Sequence, residues 1–140
     1  MAVFVRDYIG IVRGVNREFI EIHQAQRSLE EALEDQLSET GLSDALQGVS
    51  GVLSLFFGMT GAGAVASAVF SMISTLSSTE LETILLSVRE GRQFLADMRD
   101  EFVNDPDLNI LTVELPFLEY DTPSGIYRVC QGRGTITGRL

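Results

Sequence analysis

Apolar positions in the first quarter of the chain recur at alternating steps of three and four, which is the spacing of a helix packed along one narrow seam. The pattern runs from about Val3 to Ser38. Its two rows are Val5, Val12, Phe19, Gln26 and Leu33, and Tyr8, Val15, Ile22, Leu29 and Gln36. Gly10 and Gly14 each cost a helix about 1 kcal/mol relative to alanine, so the start of this helix is its weaker part, or a place where another backbone approaches closely. The pattern predicts a long helix.

The same seam returns in the third quarter of the chain. A helix start at Ser78, Thr79 and Glu80 opens a pattern that extends to about Val103, with Arg89, Arg92 and Arg99 among the residues expected to face outward. The two helices together predict a coiled-coil seam made of Val5, Val12, Phe19, Leu33, Leu81, Val88, Leu95 and Phe102.

Between these helices lie thirty-five consecutive residues without charge, Ala45 to Thr79. Small residues recur within them at steps of four, which forms a groove on a helix where a second backbone can come close. The predicted helix-contact residues are Ser50, Ser54, Gly58, Ala62 and Ala66 in one row and Gly63, Ser67 and Ser71 in the other. The segment is either one helix or a helical hairpin broken at Met59–Gly63. Its apolar side is an oligomer contact, a buried core or a membrane-inserting element.

The last 35 residues change character. Residues Asn104, Asp105 and Pro106 end the helical part, and the alternation from Leu111 to Leu115 predicts a strand that Pro116 closes. The turn at 121–125 and the stretches IYRVC and GTITGRL predict a short C-terminal β-hairpin. The predicted fold class is therefore mainly α: heptad helix, charge-free helix or hairpin, second heptad helix, then the β-hairpin. A helical bundle or coiled-coil-like domain covers 1–105, and a β tail over 106–140 packs on it or on a neighbouring chain.

The acidic net charge of the chain limits the kinds of partner it can bind. The chain carries a net charge of -10, and all ten basic residues are arginine. Such a composition suits a halophilic or high-GC source, because high salt screens the repulsion among surface carboxylates. Without a basic surface to displace counterions from phosphates, no nucleic-acid partner is expected. The N-terminus lacks the order of charged and apolar residues found in a secretory signal peptide, so the expected location is a virion or the cytoplasm.

Candidate chemistry is sparse. His23 is the only histidine and is expected to be a half-buried structural group beside the seam, so we expect no catalytic triad and no two-histidine metal site. Cys130 is the only cysteine, so no disulfide can form within the chain. The glycines of GRGTITG miss the spacing of a dinucleotide-binding loop. We therefore expect no enzyme activity, no catalytic residue, no cofactor, no metal and no small-molecule substrate.

Three functions fit these patterns. The first is a non-enzymatic structural subunit of a multi-chain assembly, with copies of itself and other structural proteins as partners, such as a tail or capsid-associated protein of a virus with a halophilic or high-GC host. The second is a membrane-inserting protein, a pore-former or envelope-penetrating component, that uses residues 45–79. The third is a small intracellular helical adaptor.

Overall fold

The chain begins with a β-strand where the heptad pattern predicts a helix. The computed structural model describes all 140 residues. In it, β1 covers Val3–Gly14 and pairs antiparallel with β2, Leu111–Thr122. Valine and isoleucine dominate β1, and both favour strands. A Cβ atom at Gly10 would lie 2.7 Å from the ring of Phe117, so this glycine serves close packing in the sheet. The prediction of a long heptad helix that starts at Val3 is wrong.

The sheet has four antiparallel strands with β2 in the middle. One side of β2 carries β1. The other side carries two short strands in succession: β3, Gly125–Cys130, pairs with the second half of β2, and β4, Thr135–Arg139, pairs with its first half. The last quarter of the chain is therefore not a short β-hairpin. It supplies three strands of a sheet that the N-terminus completes.

Five α-helices connect β1 to β2. They are α1, Asn16–Leu33; α2, Glu39–Gln47; α3, Leu53–Phe57, preceded by a 3₁₀ turn over Ser50–Val52; α4, Ala62–Thr75; and α5, Ser78–Asn104. The start of α5 is fixed by a capping box, in which the Ser77 side chain accepts from the Glu80 backbone N–H and the Glu80 carboxylate accepts from the Ser77 N–H. Helices hold 54% of the residues and strands 25%, so the fold is α/β and the mainly α prediction is wrong.

The two helices that carry the heptad pattern pack against each other within one chain. Phe19 on α1 lies 5.8 Å from Phe102 on α5 between ring centroids, and Glu30 lies 2.7 Å from Arg92. Early residues of α1 thus meet late residues of α5, so the pair is antiparallel. The apolar side chains between the two helices are therefore buried within one chain.

The charge-free segment is broken, a point that the sequence left open. Gly58 has a φ of 76° and Gly61 a φ of 89°, both in the left-handed region that favours glycine. The resulting halves, Ser50–Phe57 and Ala62–Thr75, meet at 43° and do not fold back into a hairpin. The break lets Phe56 and Phe57 of α3 reach the sheet while α4 runs alongside α2.

A single apolar core joins helices and sheet. Thirty-six buried apolar residues form one cluster, with members on both sides of the domain boundary predicted at residue 105. On β2, Leu111, Val113, Leu115 and Phe117 are fully buried. The ring of Phe56 lies 6.2 Å from that of Phe117, which ties α3 to the centre of the sheet.

Candidate functional site

The predicted helix-contact residues do not form one surface. Ala62 and Ala66 are buried on α4, and Ser67 and Ser71 are half-buried there, whereas Ser50, Ser54, Gly58 and Gly63 are exposed. The part of the row on α4 faces α2, and a groove of about 200 Å³ between these helices is lined by Ser43, Gly63 and Ala66 among others. The positive φ of Gly58 explains its identity without a close helix contact. The two rows are thus divided between a buried face of α4 and the molecular surface.

The predicted coiled-coil seam is divided between strand and helices. On α1 and α5, the side chains of Phe19, Leu33, Val88, Leu95 and Phe102 are buried and Leu81 is half-buried. Val12 and Val5 lie on β1, where Val12 is fully buried and Val5 is 48% exposed. The helical part of the seam is therefore internal core, and only its β1 part reaches the surface.

Charged groups line the contact between α1 and α5. Arg92 donates to the Glu30 carboxylate at 2.7 Å, and Arg89 donates to Glu34 at 3.0 Å. The pKa of His23 is lowered by partial burial and by the nearby Arg99 guanidinium. Arginines that the sequence predicted to face outward thus pair across two helices. These contacts fix the helix pair, and their charges are already compensated.

The other buried polar groups are also structural. Gln26 is fully buried and its amide nitrogen donates to the carbonyls of Val88 and Cys130, at 3.1 and 3.0 Å. The thiol of Cys130 is buried, and burial raises its pKa to about 12, so it stays protonated at neutral pH. No group of three or more His, Cys, Asp or Glu side chains is placed to hold a metal ion.

The strongest feature of the surface is the exposed apolar strand β1. Ile9 is 62% exposed and Ile11 is 66% exposed. The other large apolar side chains exposed on or beside this strand are Val3, Phe4, Val5 and Val15. Scattered exposed apolar residues are normal, but Ile9 and Ile11 are neighbours on one face of the same strand, which indicates a contact surface.

The backbone of β1 is open as well. Its only strand partner is β2, so the N–H and C=O groups on its outer side have no partner strand. The opposite edge of the sheet differs: it is split into β3 and β4, and Arg128 of β3 donates to the Leu55 and Phe56 carbonyls of α3. The link between β3 and β4 is held by α5 through a bond from the Gly132 N–H to the Ser87 carbonyl, 2.7 Å long. Only β1 offers a long, uncovered edge.

The two faces of β1 have different surroundings, because side chains alternate across a strand. Tyr8 stacks on Phe117 with ring centroids 5.6 Å apart, and Val12 is fully buried, so this face packs on the molecule's own core. Ile9 and Ile11 share the opposite face, beside Pro116 and Glu114 of β2. Because Tyr8 and Val12 pack on the core on one face of β1, Ile9 and Ile11 are held together on its opposite, solvent-exposed face.

Natural sheets protect exposed edges with charges and bulges, and β1 has both at its ends. The pairing with β2 is irregular between Phe4 and Arg6, and Arg6 forms a 3.2 Å ion pair with Glu119. Asp7 precedes and Arg13 follows an uncharged run, Tyr8–Val12. The middle of the edge is therefore open to another strand, while its ends limit how such a strand can align.

This site is not among the residues predicted from the sequence, because the heptad pattern predicts a helix where β1 lies. A signal was present, since residues 3–15 carry valine and isoleucine on both sides of any helix and contain two glycines that weaken one. Nothing local shows that the partner strand begins at Leu111.

No family model, no characterised protein and no solved structure matches the chain.

The length and apolar character of the helices bear on the membrane-inserting alternative. No single helix has the length and apolar character to cross a bilayer, although the bent pair Ser50–Phe57 and Ala62–Thr75 meets both criteria when taken together. In the folded chain, Phe56, Phe57 and Val65 of this pair are fully buried in the core.

Proposed function

We propose that this protein is a non-enzymatic structural subunit of a multi-chain assembly, and that neighbouring chains join by adding a strand to the edge of β1. The observation that carries the proposal is the exposure of Ile9 and Ile11 on an uncovered twelve-residue edge strand. Strand addition satisfies the open backbone groups and partly buries Ile9 and Ile11 in one step. The assembly contains copies of this chain and, as a further prediction from the sequence, other structural proteins such as those of a virion.

Energetics support an interface at this place. Each new backbone hydrogen bond contributes about 0.5–1.5 kcal/mol net. Covering the exposed part of one isoleucine adds about 1–2 kcal/mol. Several such bonds and two isoleucines together oppose an association cost of about 4–15 kcal/mol, so the contact should be weak and should depend on protein concentration.

Membrane insertion through residues 45–79 is the second candidate, and the bent helix pair is the observation that favours it. Insertion would require the buried faces of α3 and α4 to leave the core. Flotation with liposomes of neutral and anionic lipid tests it. Protein that rises with the vesicles supports insertion, whereas protein that stays in the aqueous fraction rejects it.

The test of the assembly is the native mass by size exclusion with light scattering in 0.15 M salt over a hundredfold range of concentration. We expect a mass above the 15.4 kDa of one chain. We expect Ile9→Lys and Ile11→Lys to shift the particle to the mass of one chain, because each puts a charge on the proposed contact.

Ile126→Lys is the matched control. Ile126 is a strand isoleucine with 49% exposure, but it lies on β3 at the opposite side of the sheet. It should leave the mass unchanged. A wild-type protein that stays at the mass of one chain throughout, or an assembly that survives both β1 substitutions, rejects the proposal.

A further inference from the structure

The open run of β1 is self-complementary. Counting outward from Gly10 in both directions, Ile9 matches Ile11, Tyr8 matches Val12, and Asp7 matches Arg13. Two copies of β1 aligned antiparallel about Gly10 would therefore place each aspartate opposite an arginine, once on each side of the centre.

The two charged residues are available for this contact. Asp7 and Arg13 are both exposed. Neither takes part in any of the seven ion pairs within the chain, which use other arginines, Arg6 among them. An aspartate and an arginine thus flank the apolar run with no ionic partner of their own.

Geometry permits few other symmetric alignments. Successive residues of a strand turn their backbone groups to opposite edges, so a symmetric antiparallel pair must be centred on a residue and not between two residues. Centring on Ile9 puts Asp7 opposite Ile11 and Arg13 opposite Val5. Centring on Ile11 puts Asp7 opposite Val15 and Arg13 opposite Ile9. Only the alignment about Gly10 pairs the two charges.

We propose that the chain that occupies β1 is a second copy of this protein, related by a twofold axis at Gly10, so that two four-stranded sheets become one continuous sheet. This inference rests on the proposed function and specifies its partner. The two isoleucines of each chain meet those of the other on the solvent side, and two Asp7–Arg13 pairs close the ends. The contact is isologous and uses both open edges, so the unit is a closed dimer of twice the chain mass.

Salt sets the conditions for the test. Each chain carries a net charge of -10, so two copies repel each other at a distance. At 0.15 M salt the Debye length is about 8 Å, which screens that repulsion while opposite charges in contact still attract. The dimer is therefore expected at 0.15 M salt and to weaken near 0.01 M.

Charge reversal tests the alignment directly. Asp7→Arg gives a chain with two cations at the ends of the run, and Arg13→Asp gives one with two anions. Each variant alone should dimerise at least about tenfold more weakly than wild type, because two attractions become repulsions. An equimolar mixture should form a heterodimer with nearly the wild-type dissociation constant, and the double variant with both reversals should form a homodimer. Urea unfolding of each variant confirms that it is folded.

The outcomes separate this inference from the proposed function. If Ile9→Lys abolishes assembly but neither the mixture nor the double variant recovers the dimer, β1 is still the assembly edge and the alignment about Gly10 is wrong. If Ile9→Lys and both charge reversals leave the mass of the wild-type particle unchanged, both proposals fail. Recovery in the mixture supports both.

Discussion

Replacing Tyr127 by phenylalanine should stabilise the protein. Tyr127 on β3 is fully buried and its hydroxyl has no hydrogen-bond partner. Burying a hydroxyl without a partner costs about 1–3 kcal/mol in protein mutants. Tyr127→Phe removes that cost and keeps the ring, which is stacked on Phe57 at 5.9 Å. The small void left by the missing oxygen destabilises the folded chain by a few tenths of a kcal/mol, at about 24 cal/mol per Å³ of cavity. The net gain is about 1–2 kcal/mol.

The assay is urea unfolding at pH 7 followed by far-UV circular dichroism, at one protein concentration because self-association adds to apparent stability. In thermal unfolding the gain corresponds to about 3–7 °C for a chain of this length. Tyr8→Phe is the matched control with the opposite sign. The Tyr8 hydroxyl accepts from the Arg128 guanidinium at 3.1 Å, and its loss should destabilise by about 1–2 kcal/mol.

A Tyr127→Phe variant less stable than wild type by 1 kcal/mol or more would refute this reasoning. It would mean that the hydroxyl has a partner, and hence that α3 and β3 do not pack as described. Equal effects of the two substitutions would also contradict the different surroundings assigned to the two tyrosines.

Further predictions concern charged and titratable groups. Burial raises the pKa of Cys130 from 9.0 to about 12. Above pH 9 the unfolded chain therefore loses a proton that the folded chain keeps, and the free energy of unfolding falls as pH rises. Cys130→Ala should reduce that slope by about 1.4 kcal/mol per pH unit, as measured by urea unfolding at several pH values. The pKa of His23 is lowered in the folded chain, so as pH falls below 6.5 the His23 side chain of the unfolded chain is protonated first and stability decreases. His23→Gln should flatten the dependence of stability on pH in this range. An unchanged dependence would contradict the lowered pKa. Glu30→Ala leaves Arg92 unpaired in a partly buried position and should lower the free energy of unfolding by about 2 kcal/mol. Glu31→Ala breaks only the exposed pair with Arg27 and should lower it by under about 0.5 kcal/mol. Chemical denaturation measures both, and equal losses would contradict the burial of the Glu30–Arg92 pair.

Local signals in the sequence located several elements well. The helix predicted to start at Ser78–Glu80 and to run to about Val103 is α5, and a capping box between Ser77 and Glu80 sets its start. The strand predicted over Leu111–Leu115 is the first part of β2, but β2 runs through Pro116 to Thr122, so the predicted end at Pro116 is wrong. The strand predicted at IYRVC is β3. In each case neighbouring residues decide the structure, through caps, turns and alternation.

The N-terminal strand could not be predicted in the same way. Residues 3–15 are apolar on both sides, because one face of β1 packs on the core and the other carries Ile9 and Ile11 at the surface. A heptad fits such a segment as well as an alternating pattern does. The choice is made by pairing with β2, about a hundred residues away, whose register lies outside any local window. The candidate site is the consequence of that pairing, so it was missed with the strand.

Amide hydrogen exchange along β1 at two protein concentrations tests the central claim most directly. Measured in 0.15 M salt, the amides of residues 7–13 that point away from β2 should exchange slowly in concentrated solution and rapidly on dilution, because only a neighbouring chain can protect them. The amides of β3 should exchange at the same rate in both samples. Equally rapid exchange of the outer β1 amides at both concentrations would contradict the account.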